Sequence, residues 1–211
     1  MRRRCVVVLM SVLVIGGLRS LMGEELSAKE RVKYLKVSYG EVPMRAAQDV
    51  LAARIFGSAQ AQVFSNFEEY KGFAYYSFTG TLPYVFDPLR YRDSVRAAAL
   101  WETVAKPVVA AYWKLGGSVK EVDGVIIRIR TSSGSPRMPL SGVGANEVFS
   151  YIFTASQIGR FMAGEIGVGE LFERSQVQFN GTTIKLDYAA DRDQIAALSR
   201  QIETFRLKTS S

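Results

Sequence analysis

The chain has 211 residues, 27 Lys and Arg against 20 Asp and Glu, a single cysteine and no histidine. The lack of histidine excludes catalysis and metal binding that depend on imidazole, the commonest side-chain base near neutral pH. All four basic residues before Glu24 are arginines, so the net charge of +7 becomes 7 − 4 = +3 for residues 24–211. That balance is typical of an ordinary solvated surface and does not indicate a nucleic-acid partner.

The first 23 residues have the pattern of a secretory signal peptide. Three arginines at positions 2–4 precede an apolar run at residues 5–15, and small and polar residues follow as far as residue 23. The run is shorter than the ~20 residues that span a bilayer, which favours cleavage over retention as a membrane anchor. We expect residues 1–23 to be removed and residues 24–211 to form a single domain; an uncleaved anchor is the alternative.

The compartment follows from the cysteine count. Cys5 lies in the signal segment, so residues 24–211 contain no cysteine and cannot form a disulfide. Secreted eukaryotic domains of this size normally carry disulfides, which favours a bacterial envelope protein. The sequence therefore predicts a periplasmic or secreted bacterial protein that contacts the membrane only through the signal segment, if that segment is kept.

The first elements after the signal are predicted from hydrophobic spacing. Imperfect alternation predicts a strand over residues 30–39, and apolar residues at helical spacing predict an amphipathic helix over residues 43–62. An aromatic run at residues 73–78 predicts a strand, with residues 82–86 as its hairpin partner.

A long helix is predicted next, starting at Asp87-Pro88 or capped by Asp93. Pro107 should bend it, and Gly116-Gly117 should end it. Its apolar stripe consists of Trp101, Val104, Val108, Ala111 and Leu115.

Asp123-Gly124 is a strong turn signal and predicts a hairpin between residues 119–122 and 125–130. In the second arm the apolar residues alternate with Arg128 and Arg130, so we expect one buried and one solvated sheet face. The apolar residues of this arm are Val125, Ile127 and Ile129.

Residues 131–146 lack periodicity and are rich in Gly, Ser and Pro, which predicts a flexible loop. A strand containing Phe149, Tyr151 and Phe153 should follow, and then a short helix capped by Ser156.

Asn180-Gly181 predicts a hairpin between residues 176–179 and 182–188. Asp191 and Gln194 resemble a capping box for the last helix. The apolar face of that helix consists of Ile195, Leu198, Ile202 and Phe205.

These elements predict an α+β fold in which an antiparallel sheet built from hairpins carries amphipathic helices on one face. The order also admits two related β-α-β-β-α halves, although no repeat is visible at the level of residues.

Ten aromatic residues fall between residues 64 and 91. Such a segment could line an apolar pocket or stack on sugar rings. The candidate ligand-binding residues are Tyr70, Tyr75, Tyr76, Tyr84 and Tyr91. The alternative is a sheet core with Phe73 and Phe78 buried and tyrosines on the solvated face; Tyr75 and Tyr76, being adjacent, must point to opposite sides.

A pair of carboxylates could hydrolyse a glycosidic bond without histidine, and several acidic residues lie in or near this segment. They are Glu68, Glu69, Asp87, Asp93 and Glu102. Neighbouring glutamates on a strand diverge, and the aspartates suit helix starts, so we predict no catalytic residue, no metal ligand and no cofactor.

The sequence thus favours an exported, non-catalytic envelope protein that acts by binding or by assembly with other envelope proteins. The alternatives are a binder of an apolar or glycan ligand through the aromatic segment, and a carboxylate-dependent glycan hydrolase.

Overall fold

The computed structural model describes residues 26–39, 63–116, 122–134 and 145–209. Within them the fold is α+β, as predicted: a six-stranded, mostly antiparallel sheet with helices packed on it. The strands are β1 (Val63–Tyr70), β2 (Phe73–Phe86), β3 (Gly124–Ser133), β4 (Ala145–Thr154), β5 (Gln176–Phe179) and β6 (Thr182–Ile184), in this order across the sheet. The helices are α1 (Ala28–Tyr39), α2 (Asp93–Leu100), α3 (Lys106–Gly116), α4 (Ala155–Met162), α5 (Val168–Arg174) and α6 (Arg192–Thr209), with a π-helical turn (Trp101–Ala105) between α2 and α3.

Residues 43–62, predicted as a helix, lie outside the described residues. The strand predicted over residues 30–39 is wrong, because α1 occupies this segment. Its buried residues recur at helical spacing: Ala28, Val32 and Leu35. At its start, Ser27 donates its backbone N–H to Glu30 and accepts the backbone N–H of Glu30 on its hydroxyl, a reciprocal cap. The hydrogen bond from the Ser27 hydroxyl lowers the pKa of Glu30.

The first hairpin differs from the prediction. β2 runs without a break through residues 82–86, and its antiparallel partner is β1. The turn between them uses Lys71 and Gly72, both with positive φ, at 52° and 81°. The second predicted hairpin is confirmed: Asn180 and Gly181 have φ of 49° and 82° and join β5 to β6, although β6 ends at Ile184.

Residues 119–121 of the first arm predicted for the Asp123-Gly124 hairpin lie outside the described residues, and the pairing predicted for the second arm is wrong. Gly124 opens β3, which pairs in parallel with β2 and antiparallel with β4. A Cβ at Gly124 would lie 2.1 Å from the carbonyl oxygen of Phe153 and 2.6 Å from Cε1 of Tyr75. The glycine is therefore explained by the close approach of neighbouring strands rather than by a turn.

The connection from β2 to β3 is the long helical segment that the sequence predicts. It starts at Asp93, and Asp87 instead accepts the backbone N–H of Leu89 in a turn. Pro107 has no N–H, so the Thr103 carbonyl lacks its usual helical donor and accepts Nη1 of Arg206 at 3.4 Å. The π-helical turn precedes this proline, and the helix continues beyond it.

The main core lies between the helices and one side of the sheet, which we call the core face. The core face includes Phe67, Tyr76, Phe78, Val125, Ile127, Ile129, Phe149, Tyr151, Phe153 and Val177, all buried. Trp101, in the π-helical turn, is fully buried against the rings of four aromatic residues. They are Tyr151, Phe153, Phe161 and Phe172.

The other predictions for the second half are largely confirmed. β3 extends to Ser133 and β4 begins at Ala145, so both ends of the predicted loop at 131–146 belong to strands, and its residues 135–144 lie outside the described residues. Thr154, rather than Ser156, caps α4 through a capping box with Gln157. In α6 the predicted apolar face is buried at Ile195, Leu198 and Ile202. A relationship between two halves of the chain remains a prediction.

Candidate binding face of the sheet

The side of the sheet opposite the helices is the candidate functional site, and we call it the open face. Residues that alternate with those of the core face form it. They are Phe64, Asn66, Glu68 and Tyr70 on β1; Phe73, Tyr75, Ser77 and Thr79 on β2; Ile126, Arg128 and Arg130 on β3; Ser150 and Ile152 on β4; and Gln176 and Gln178 on β5.

A small apolar cluster lies at the centre of the open face. Tyr75, Ile126 and Ile152 are buried there, and Tyr70 packs against them. The rings of Tyr70 and Tyr75 meet edge to face with centroids 6.0 Å apart. Burial, with smaller contributions from Asp123 and Tyr70, raises the pKa of Tyr75. The solvated face predicted from the alternation is therefore partly covered by its own side chains.

Tyr70 joins two distant strands. Its hydroxyl donates a hydrogen bond to Oε1 of Gln176 at 3.3 Å and accepts one from Nε2 of Gln178 at 3.2 Å. Lys71 also donates to Gln176, at 3.2 Å. Three strands separate β1 from β5, and in a flat sheet the two would lie about 19 Å apart. The contact requires the sheet to curl towards the open face, which is therefore concave at this end.

A second connection crosses β2. Arg128 on β3 donates both Nη atoms to the carboxylate of Glu68 on β1, at 2.5 and 3.1 Å. Less than a third of either side chain is exposed. The sequence suggested only that Arg128 solvates the outer face. The structure adds that its charge is neutralised by Glu68, while Arg130 remains exposed.

Two phenylalanines are exposed on the open face: Phe64 at 58% and Phe73 at 53% of their surface. The expectation that Phe73 belongs to the core is wrong, whereas Phe78, 1% exposed, is buried as expected. The two residues are five positions apart on one strand, and an odd spacing places them on opposite faces.

The predicted tyrosine candidates do not form one site. Tyr70 and Tyr75 share the open face, whereas Tyr76 points into the core and stacks on Tyr112. Tyr84 and Tyr91 lie beside α6, where both hydrogen-bond to Gln201. Tyr75 and Tyr76 do face opposite ways, as predicted, but both are buried.

Gln176 and Gln178 were not among the residues predicted from the sequence. They alternate with buried Val177, and this pattern indicates a strand with one polar face. Nothing local to β5 predicts that this face meets Tyr70, 106 positions earlier in the chain.

The candidate catalytic carboxylates are engaged separately. Glu68 pairs with Arg128, and Glu69 accepts the backbone N–H of Gly72. Glu102 pairs with Lys106. Asp93 pairs with Arg96, and Asp87 accepts the backbone N–H of Leu89 in the turn after β2. Each of these groups therefore has a structural role within the described residues.

Comparisons with other proteins do not assign a function. No known family model matches the chain, and no curated protein or solved structure has significant similarity to it. In the described part of the chain, no three or more acidic side chains cluster in a way that could hold a metal ion. None of the helices described there is both long and apolar enough to cross a bilayer. The open face has to be interpreted from its own geometry.

Proposed function

We propose that this chain is an exported, non-catalytic protein of the bacterial envelope that binds an envelope component through the open face. The observation that carries the proposal is the bridge from Tyr70 to Gln176 and Gln178. It spans three intervening strands and places two amide groups against Tyr70, whose partner across the hairpin is the exposed Phe73. An aromatic surface with a few fixed polar groups is the usual composition of a ligand site.

The engagement of the carboxylates supports binding rather than hydrolysis. A glycan hydrolase needs two carboxyl groups on either side of the scissile bond, one of them able to donate a proton. On the open face the carboxylate of Glu68 accepts hydrogen bonds from both Nη atoms of Arg128, so both of its oxygens are already engaged. Such a group is suited to orienting a ligand, and the other strand residues that form the open face include no second carboxylate.

The apolar cluster at the centre of the open face is already covered by the protein's own side chains, which argues against a purely apolar ligand. Tyr75, Ile126 and Ile152 are already buried, and Tyr70 covers them. An apolar ligand would have to displace the Tyr70 ring and break its hydrogen bonds to the glutamines. The surface left for a partner is mixed, with aromatic rings beside amides and an ion pair.

Export and envelope binding are tested separately from one tagged full-length gene expressed in a bacterium. N-terminal sequencing of the periplasmic protein should begin between Leu21 and Glu25. Recovery of the intact chain from the cytoplasm would contradict export.

For binding, the processed protein is sedimented with washed, insoluble envelope from the same cells. Phe73→Ser, on the open face, should reduce co-sedimentation. Leu89→Ser is the matched control because Leu89 is 87% exposed in the turn after β2 and lies outside the open face. Equal co-sedimentation of the two variants and the unaltered protein would refute binding through the open face.

A further inference from the structure

We infer that the ligand of the open face is a neutral glycan chain. The inference depends on the proposed function, because it names the ligand class of the same face. Three features of the face support it: exposed aromatic rings, amide groups with unused hydrogen-bonding capacity, and a charge pair that is already balanced.

The aromatic rings offer flat apolar surfaces of the size of a sugar ring. Phe73 pairs with Tyr70 across the β1–β2 hairpin, so both side chains belong to the open face at the end of that hairpin. Phe64 lies on the same face of β1, six residues before Tyr70, or roughly 20 Å along the strand. Aromatic surface at two separated points suits an elongated ligand better than a compact one.

The amides can bind hydroxyl groups in both directions. Oε1 of Gln176 is occupied by Tyr70 and Lys71, but its Nε2 makes no hydrogen bond within the described residues. Gln178 uses Nε2 to reach Tyr70, and its Oε1 likewise has no hydrogen-bond partner there. One free donor group thus lies near one free acceptor. A hydroxyl group both donates and accepts, so adjacent hydroxyls of a sugar match this pair.

The charges on the face favour a neutral ligand. Arg128 is the basic residue nearest the centre, and Glu68 neutralises it through two hydrogen bonds. An anionic ligand that paired with Arg128 would have to displace Glu68 and leave its carboxylate unpaired, at a cost in free energy. A neutral hydroxyl can instead donate to Glu68 while the ion pair remains intact. Arg130 lies towards the end of β3, and Lys71, in the first turn, is engaged by Oε1 of Gln176 and lies 5.3 Å from the centre of the Tyr70 ring.

The test is isothermal titration calorimetry with protein purified from the periplasm after expression of the full gene. The probes are two neutral oligosaccharides, chitohexaose and cellohexaose, the polyanion polygalacturonate, and the sugar-free apolar probe octaethylene glycol monododecyl ether below its micellar concentration. We expect saturable binding of at least one neutral hexasaccharide and weaker binding of the other two probes.

Two variants connect the binding to the face. Phe73→Ser removes a stacking surface and Gln178→Leu removes an amide, and each should weaken binding about tenfold. Leu89→Ser should leave it unchanged. Because Gln178→Leu also removes a hydrogen bond to Tyr70, circular dichroism and thermal melting must show that the variant is folded, and Tyr70→Phe supplies a second test of the same bridge.

The outcomes separate the two proposals. Tighter binding of polygalacturonate or of octaethylene glycol monododecyl ether than of both hexasaccharides would overturn the assignment of a neutral glycan. So would failure to bind either hexasaccharide while envelope co-sedimentation still depends on Phe73; in that case binding through the open face would stand. Co-sedimentation that does not depend on Phe73 would remove the proposed function itself.

Discussion

Arg96 on α2 and Glu147 on β4 form an ion pair inside the core, with 1% and 4% of their residue surfaces exposed. The guanidinium also contacts Asp93 and lies 5.1 to 5.7 Å from the centres of three phenylalanine rings. Burial opposes its charge, but the hydrogen bonds to Glu147 and Asp93 prevail and raise the pKa of Arg96. The Arg96 guanidinium therefore remains charged, and its hydrogen bond to Glu147 fixes α2 against the sheet.

Removing one partner of this pair should destabilise the protein strongly. Glu147→Gln leaves the buried guanidinium without its main counter-charge and should lower the free energy of unfolding by about 3–5 kcal/mol. The double variant Arg96→Met/Glu147→Leu leaves no unpaired charge between these two positions. Its loss in free energy of unfolding should therefore be smaller than the sum of the losses in the single variants Arg96→Met and Glu147→Leu. Urea denaturation measures both; strictly additive losses would show that the two side chains are not coupled.

The two phenylalanines of β2 should respond differently to truncation. Phe78→Ala removes a buried ring and should lower the free energy of unfolding by about 3–5 kcal/mol. Phe73→Ala removes an exposed ring and should cost less than about 1 kcal/mol. Chemical denaturation of both variants checks the assignment of the two faces, and similar losses at the two positions would contradict it.

Gly124 should not tolerate a side chain. In Gly124→Ala the new Cβ would clash with the Phe153 carbonyl oxygen, and separating β3 from β4 should cost about 1–3 kcal/mol. The control is Gly169→Ala in α5, where a Cβ meets nothing within 4 Å and alanine favours the helix. Thermal melting should show a lower midpoint for the first variant only. An unchanged midpoint for Gly124→Ala would contradict the close approach of the strands.

The protein should unfold cooperatively at alkaline pH. Burial raises the pKa of the Tyr112, Tyr151 and Tyr188 phenols above the ordinary value of about 10. A phenol with a raised pKa in the folded state holds its proton more tightly there. Its contribution to stability is therefore complete below about pH 10 and is lost as the pH rises towards the folded-state pKa.

Absorbance at 295 nm, which reports phenolate, should therefore rise steeply above pH 10 together with loss of the circular dichroism signal. In Tyr188→Phe, the rise in absorbance at 295 nm that accompanies unfolding should be smaller by the absorbance of one phenolate. The chain has ten tyrosines in all. Complete ionisation of all ten with an unchanged circular dichroism spectrum would contradict the burial of these three residues.

The sequence alone predicts those parts of the fold that depend on local periodicity and turn chemistry. The apolar face of α6 repeats at helical spacing and is buried as expected, and Asn180-Gly181 forms a hairpin because both residues tolerate positive φ. The alternation around Ile127 identifies the core face of β3 correctly. α1 is mispredicted because its short apolar pattern fits the period of a strand as well as that of a helix. The hydrogen bonds between Ser27 and Glu30 at its start favour the helix.

The tertiary structure decides which strands are neighbours and which residues share a face. β2 is joined to β3 by a helical crossover, so the two strands pair in parallel and Asp123-Gly124 begins a strand instead of a turn. Curling of the sheet then brings Tyr70 to Gln176, 106 positions later in the chain. The reason is physical: periodicity and turn propensity act over a few residues, whereas strand order and sheet curvature result from burying the whole core at once.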